Sequence, residues 1–258
     1  MHDAPPGVTP RITVLSEPTH VQMAEEWFGL ATLNHFWIKR RFAVCRKLLA
    51  GLPVSSLTIA EVGCGHGIVQ RQFEDQWGVA VDGFDLNMRA LESQVSRRSR
   101  LYYYDVLEKR HEFEARYDLI LLFDVLEHIQ RDDDFLKSLL FYLKKDGLLF
   151  INVPSDMRMY SRYDVAAGHV RRYSIAAFEK LASQCTLRVK QWTYWGLPLS
   201  PLLLLRKLTL RKTPPNKVIA AGFSPRNSII NLALQWVARA EPIPQHKFGT
   251  SLMAILTR

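Results

Sequence analysis

Glu61-Val62-Gly63-Cys64-Gly65-His66-Gly67 closes a short apolar run, Leu57–Val62, and opens a helical pattern, Gly67–Trp77. Glycines at 63, 65 and 67 let the backbone turn sharply and approach a ligand with no Cβ in the way. A strand that turns so into a helix aims free N–H groups and the positive end of the helix dipole at whatever lies above it. The dinucleotide fingerprint begins in the same way but sets its third glycine three residues after the second. Here that position is Ile68, and the third glycine falls early, at Gly67. Glu61, inside the strand end, would repel a pyrophosphate and attract an ammonium group. Both details disfavour a nicotinamide dehydrogenase.

Strand and helix patterns alternate outward from this turn. Val79–Asp85 reads as a strand, and Asn87 as the N-cap of a helix to about Arg98. Leu101–Tyr104 is strand-like and ends at Asp105; Tyr117–Phe123 is a continuous apolar strand ending at Asp124. Asp132, Asp133 and Asp134 suit a helix N-terminus, and the helix is expected to run to Lys144-Lys145 with Gly147 as its stop. Leu148–Val153 is a further strand, Ser174 caps a helix to Cys185, and Leu187–Tyr194 and Thr250–Leu256 complete the strands. This rhythm predicts an α/β, Rossmann-like doubly wound sheet, mostly parallel and covered on both faces. Glu61, Asp85, Asp105 and Asp124 would then stand at successive carboxyl ends of strands, where open α/β sheets bind ligands. Asp82 should face the opposite side of its strand.

The flanks divide one domain spanning 1–258. Residues 1–18 read as an irregular arm, and 20–51 as helical, with Trp27, Phe28, Leu30, Ala31, Phe36, Trp37, Ile38 and Phe42 at helical spacing. Residues 1–53 thus form an arm and cap, 54–194 the ligand-binding core, 195–248 a basic, Leu-rich insertion placed to serve as a substrate lid, and 249–258 the last strand.

Apolar residues make up 48% of the 258 and charged residues 23%, as in soluble globular proteins. Cys45, Cys64 and Cys185 form neither a disulfide framework nor a metal-binding pair, so a reducing cytoplasm is expected. The N-terminus lacks the apolar centre of a signal peptide, and Gly196–Leu205 is half the length needed to cross a bilayer. The formal charge is +9, and from Trp195 onward nine Lys or Arg face a single acid, Glu241. An excess concentrated in this way points to an anionic partner such as a membrane surface, although a solvated basic face reads the same.

With these motifs in place, residues 57–155 resemble the class I S-adenosylmethionine (SAM)-dependent methyltransferases. Glu61 to Gly67 is similar to their first motif, and Gly83-Phe84-Asp85-Leu86-Asn87 to their ribose-binding second motif, with Leu86 beneath the adenine. Leu122-Phe123-Asp124-Val125-Leu126-Glu127-His128-Ile129 resembles the segment after the fourth strand in small-molecule methyltransferases, those of ubiquinone biosynthesis included. The resemblance implies a seven-stranded sheet with an antiparallel last strand, SAM as cofactor, S-adenosylhomocysteine as product and no required metal. It assigns Glu61, Gly63, Cys64, Gly65 and Gly67 to the cofactor's turn, Asp85 to the ribose hydroxyls, Asp105 and Val106 to adenine, and Phe123 and Asp124 to the methionine part.

Two outer segments extend the likeness. His35-Phe36-Trp37-Ile38-Lys39-Arg40-Arg41 resembles a segment that covers the SAM pocket in bacterial members, which brings Trp37 and Arg41 to the cofactor. Gly168-His169-Val170-Arg171-Arg172-Tyr173 resembles a loop of methyltransferases encoded near polysaccharide or lipid-modification genes. From it Asp164, Arg171, Arg172 and Tyr173 are expected to face substrate. His128 and His169 are the candidate bases, because imidazole titrates near neutrality. The expected reaction is methyl transfer to oxygen or nitrogen of a small-molecule, lipid-linked or saccharide-type acceptor, in the cytoplasm or peripherally at the inner membrane face. A nucleic-acid methyltransferase is the first alternative, disfavoured because Asn152-Val153-Pro154-Ser155 is not the Asn/Asp-Pro-Pro-Tyr type of base-amine site. A silent SAM-binding scaffold is the second.

Overall fold

The computed structural model describes residues 12–19, 29–223, 225 and 227–258. Eight strands form one sheet: β1 (Ile12–Val14), β2 (Ile59–Val62), β3 (Val81–Asp85), β4 (Leu101–Tyr103), β5 (Tyr117–Phe123), β6 (Leu143–Pro154), β7 (Arg188–Trp195) and β8 (Ser251–Thr257). Their order is β1-β4-β3-β2-β5-β6-β8-β7, all pairs parallel except those that β8 makes with its two neighbours. The doubly wound sheet with an antiparallel last strand is therefore present, and the switch in strand order falls between β2 and β5, where such sheets bind ligands.

Period-two alternation explains why the sheet is buried on both faces. Along β5, Ile120 and Leu122 enter one core with Phe135, Leu136 and Leu139 of helix α4 (Asp132–Leu139) and Phe178, Leu181 and Ala182 of α6 (Ile175–Gln184). Leu119, Leu121 and Phe123 point the other way, against Val44, Cys45 and Leu48 of α1 (Phe36–Leu48) and Val69 and Phe73 of α2 (Ile68–Trp77). The remaining helices are α3 (Met88–Glu92), α5 (Arg162–Ala167), and in the insertion α7 (Ser200–Thr209), α8 (Val218–Phe223) and α9 (Ser228–Arg239).

Four expectations need correction. The helix capped by Asn87 ends at Glu92 rather than near Arg98. The sheet has eight strands rather than seven, because part of the supposedly irregular arm, Ile12–Val14, adds in parallel to β4. The segment is three residues long and at most half-buried, too little for a periodic signal. The helix of residues 36–48 is shorter than the 20–51 span; Trp27 and Phe28 lie outside the described residues. Finally, α4 stops at Leu139, and Lys144, Lys145 and Gly147 belong to β6. The β5–β6 register jumps from Tyr117–Leu143 to Leu119–Leu148, so residues 144–147 bulge from the ladder, and Lys144 pairs with Asp118 at 2.8 Å.

The insertion is docked on α1. The Arg40 guanidinium donates to the Glu241 carboxylate at 3.1 Å, both side chains buried, and Glu241 also accepts from the backbone N–H groups of Gly196 and Leu197. His35 stacks on Phe223 with ring centres 4.1 Å apart, and Asn231 of α9 accepts from the N–H of Phe36. The one acid of the last quarter is thus spent inside the protein, and its surface is left basic.

Candidate active site

The carboxyl ends of β2 and β5, α1, the segment 154–172 and the insertion enclose a cavity of roughly 1400 Å³, open mouth included. Glu61, Gly63, Cys64, Gly65, Phe123 and Asp124 form its floor, and Trp37 and Arg41 one wall. The turn needs its glycines: Gly63 has φ +73° and a Cβ there would lie 2.4 Å from a Val125 methyl carbon, while Gly67, φ +76°, would drive one into the Gln94 amide.

Asp124 sits just past β5 in the left-handed region, φ 58°, which a short polar side chain tolerates. Its carboxylate accepts from Asn152 Nδ2 at 2.7 Å and from the Arg41 guanidinium; Asn152 in turn accepts from the Trp195 indole N–H. Arg41 stacks between Trp37 and Phe123, 5.0 and 5.5 Å from the ring centres. Burial raises the pKa of Asp124, against the opposing charge of Arg41. Burial pushes Glu61 well above the usual carboxylate range, Arg41 opposing and Asp85 and Asp124 adding to the rise, and its Oε2 is buried with no partner. Asp124 is paired with Arg41, while Glu61, held towards its neutral form, keeps an unsatisfied acceptor that a cationic ligand would ionise and satisfy.

The far wall holds the imidazoles. His169 Nδ1 lies 3.0 Å from an Asp164 oxygen and its Nε2 3.9 Å from Glu127, and the rings of His128 and His169 meet edge to face at 4.8 Å. Asp164 is fully buried and also accepts from Arg172 at 2.7 Å and from Ser161, whose backbone it caps. Burial alone would raise its pKa, but the His169 hydrogen bond and the Arg172 charge hold it down at about 2. His128 is pushed down to about 4 by burial and then by His169, so it is neutral near pH 7. Glu127 is raised by burial and by Asp124, and its Oε2 is unpartnered. Ligand atoms of Glu127, His128 and His169 lie within 4.8 Å of one another, the spacing that also suits a metal ion.

The other expected residues are placed differently. Asp85 ends β3, buried, and its carboxylate accepts from the N–H groups of Gly65 at 2.7 Å and Asn87 at 2.8 Å. Asp105 caps the turn Val106–Glu108 through the Leu107 N–H. Neither of them, nor Leu86 nor Val106, lines the cavity; they follow the ends of β3 and β4 beside it. Arg171 and Tyr173, expected to face substrate, bind Asp132 at 2.6 and 2.9 Å and fasten their loop to the start of α4 instead. Arg172 does line the cavity.

The roof comes from the insertion. Leu199, Leu202, Leu203 and Arg206 around α7 and Phe223 of α8 close the cavity. Leu199, Leu202, Leu203 and Arg206 fall on one side of the helical spacing, a signal in the sequence that singles out Arg206 among the basic residues of the insertion.

The sequence pattern of the methyltransferase-domain family matches residues 36–191, more than half of the chain. Ubiquinone biosynthesis O-methyltransferase of Rickettsia typhi is 24% identical over 129 residues, covering 48% of this chain and 52% of that one. The chain spans between half and three-fifths of the length of the curated relatives it matches. Among solved structures, an S-adenosylmethionine-dependent methyltransferase from Mesorhizobium loti aligns with TM-score 0.55 at 13% identity, over 85% of this chain and 98% of that one. Phosphoethanolamine N-methyltransferase 2 of Haemonchus contortus, in complex with S-adenosyl-L-methionine, aligns with TM-score 0.56 at 17% identity, over 87% and 56%. These likenesses establish the fold. The chain belongs to the methyltransferase-domain family, with the class I architecture.

Proposed function

From membership of that family we propose that the chain transfers the methyl group of SAM to oxygen of a small, amphipathic or lipid-linked acceptor, releasing S-adenosylhomocysteine. The observation that carries this reading is a single cavity with an acidic floor, Glu61 and Asp124, facing an imidazole held by a buried carboxylate, His169 and Asp164. The residues fit SAM: the orphaned Glu61 Oε2 suits its ammonium group, and the glycine turn is one that side chains would fill.

Bound SAM supplies a methyl carbon already activated by its sulfonium. The protein's part is alignment, which in favourable cases contributes roughly 7–11 kcal/mol, and exclusion of water. Glu61 and Asp124 would hold the amino group, with Asn152 fixing Asp124; Arg41 would meet the carboxylate, and Asp85 would take the ribose hydroxyls, with Leu86, Asp105 and Val106 around the adenine. On the acceptor side His169 Nε2 receives the hydroxyl proton. Asp164 accepts the Nδ1 proton, which fixes the tautomer and stabilises the imidazolium, an arrangement worth ~10²–10⁴-fold in rate. His128, depressed to about 4 by burial, is a weak base. The insertion serves as the lid.

The lid's outer face favours a membrane-associated acceptor. Leu204, Leu205 and Leu208 of α7 and Ile229, Leu232 and Trp236 of α9 are exposed, beside exposed Arg211, Lys212 and Arg239. No helix among the described residues is long and apolar enough to cross a membrane. Such faces lie in the headgroup region of anionic bilayers. Co-sedimentation with phosphatidylglycerol vesicles but not with phosphatidylcholine vesicles is expected; equal or absent binding would remove the membrane from the reading.

The reaction itself is tested by incubating the protein with methyl-labelled SAM and fractionated cell extract. Label should enter one organic-soluble product with wild type and fall at least about a hundredfold with His169→Ala. Label incorporated equally by wild type and variant would reject the base; label found only in RNA would replace the acceptor class.

A further inference from the structure

Arg206 is a charged lining group whose chemistry the methyl-transfer reading leaves unused. It projects from α7 at the spacing of Leu199, Leu202 and Leu203, into the cavity and away from the exposed Leu204, Leu205 and Leu208. One terminal nitrogen donates to the Gly222 carbonyl at 3.2 Å, and the guanidinium lies over the Tyr163 ring at 4.0 Å. Its Nε is buried and has no partner. Among the described residues no carboxylate forms an ion pair with it. Asp164, the acid whose charge reaches it, is already held by Arg172 at 2.7 Å and His169 at 3.0 Å.

An arginine keeps its charge in any protein setting, and a charge taken out of water without a counter-ion is costly. A carbonyl oxygen and an aromatic face soften that cost without cancelling the charge. We propose that Arg206 is the receptor for an anionic group of the methyl acceptor, a carboxylate or phosphate ester carried next to an apolar segment. The inference rests on the methyl-transfer reading and deepens it by naming the acceptor's class.

Charge in the cavity runs the right way for this. The floor, with Asp124 paired to Arg41 and the unsatisfied Glu61 beside them, offers acceptors without a free cation and suits the sulfonium. The roof side, with Arg172 and Arg206 against Asp164, is positive. An acceptor lying between them would present its hydroxyl to His169 and its anion to Arg206, whose planar fork matches two oxygens of a carboxylate or phosphate. Leu199, Leu202, Leu203 and Phe223 would cover its apolar part. Sequestering the anion under the roof also gives α7 a reason to close only over the correct acceptor, since without the anion the guanidinium stays uncompensated.

The test uses a pair of probes that differ in charge and little else, decanoate and decanamide, titrated calorimetrically into the intact protein. Decanoate is expected to bind at least about tenfold more tightly. Arg206→Gln should erase that difference and leave decanamide binding as it was, whereas Lys180→Gln, on the exposed face of α6, should keep it. Decyl phosphate run alongside identifies the favoured group: tighter binding than decanoate names a phosphate ester, weaker binding a carboxylate. Decanoate no tighter than decanamide in the wild type overturns the proposal without recourse to any variant. So does a loss shared equally by both probes in Arg206→Gln, or a preference abolished by Lys180→Gln. S-adenosylhomocysteine is titrated in parallel: its failure to bind would reject the methyl-transfer reading, while the receptor stands or falls on decanoate.

Discussion

Replacing Asp164 by Asn tests the charge network behind the candidate base without any knowledge of the acceptor. The carboxylate is fully buried and titrates at about 2, against an unfolded value near 3.9. A downward displacement of roughly two units corresponds to about 2.5 kcal/mol of folding free energy at neutral pH. Asn removes this and also strands the Arg172 guanidinium, itself buried, without its counter-ion. Breaking a buried pair in this way costs about 3–5 kcal/mol, and that is the loss expected at pH 7. Because the folded pKa is depressed, the contribution is complete above the unfolded pKa and disappears as pH falls through the folded one. At pH 3 about half of the charge-dependent part should be gone, so the wild type and the variant should converge from pH 5 downward. Urea unfolding followed by circular dichroism at pH 7, 5 and 3 measures the gap directly. A difference below about 1 kcal/mol at pH 7, or one that stays constant to pH 3, would refute the network as described.

Asp85→Ala removes the acceptor for ribose hydroxyls and for the Gly65 and Asn87 amides. The dissociation constant for S-adenosylhomocysteine should rise roughly 10- to 150-fold, as for hydrogen bonds to a charged group, and an unchanged constant would contradict the assignment. His128 should titrate at about 4 in a proton NMR series, assigned by comparison with His128→Gln. The neutral form is favoured in the fold, so its contribution to stability is present above pH ~6.5 and is lost as pH falls towards 4. A midpoint near 6.5 would mean that the ring is solvated.

How much could be read from the chain follows from where its information lies. Glycines, strand-end acids and uninterrupted apolar strands are local signals, and they predicted the doubly wound sheet and the floor of the cavity. Ile12–Val14 was invisible because an edge strand of three residues is specified by its partner rather than by its own pattern. Lys144 and Lys145 imitated a helix C-terminus because basic residues stabilise that end; here Lys144 answers Asp118 across the β5–β6 bulge. Arg171 and Tyr173 share a short loop with Arg172, and sequence alone does not reveal which of three adjacent polar residues turns inward. Asp132, 39 residues from Arg171, decides it. Arg206 was not singled out within the basic insertion, although its spacing with Leu199, Leu202 and Leu203 already placed it on the inner side of α7.

The central claim is that the acidic floor and glycine turn hold an adenosyl sulfonium. Calorimetric titration of the purified protein with SAM, S-adenosylhomocysteine and NAD addresses it most directly. The account predicts saturable one-site binding of the first two and none of the dinucleotide, because Glu61 repels a pyrophosphate and Ile68 replaces its third glycine. Absence of heat with both SAM and S-adenosylhomocysteine at millimolar concentration, or tighter binding of NAD, would contradict it.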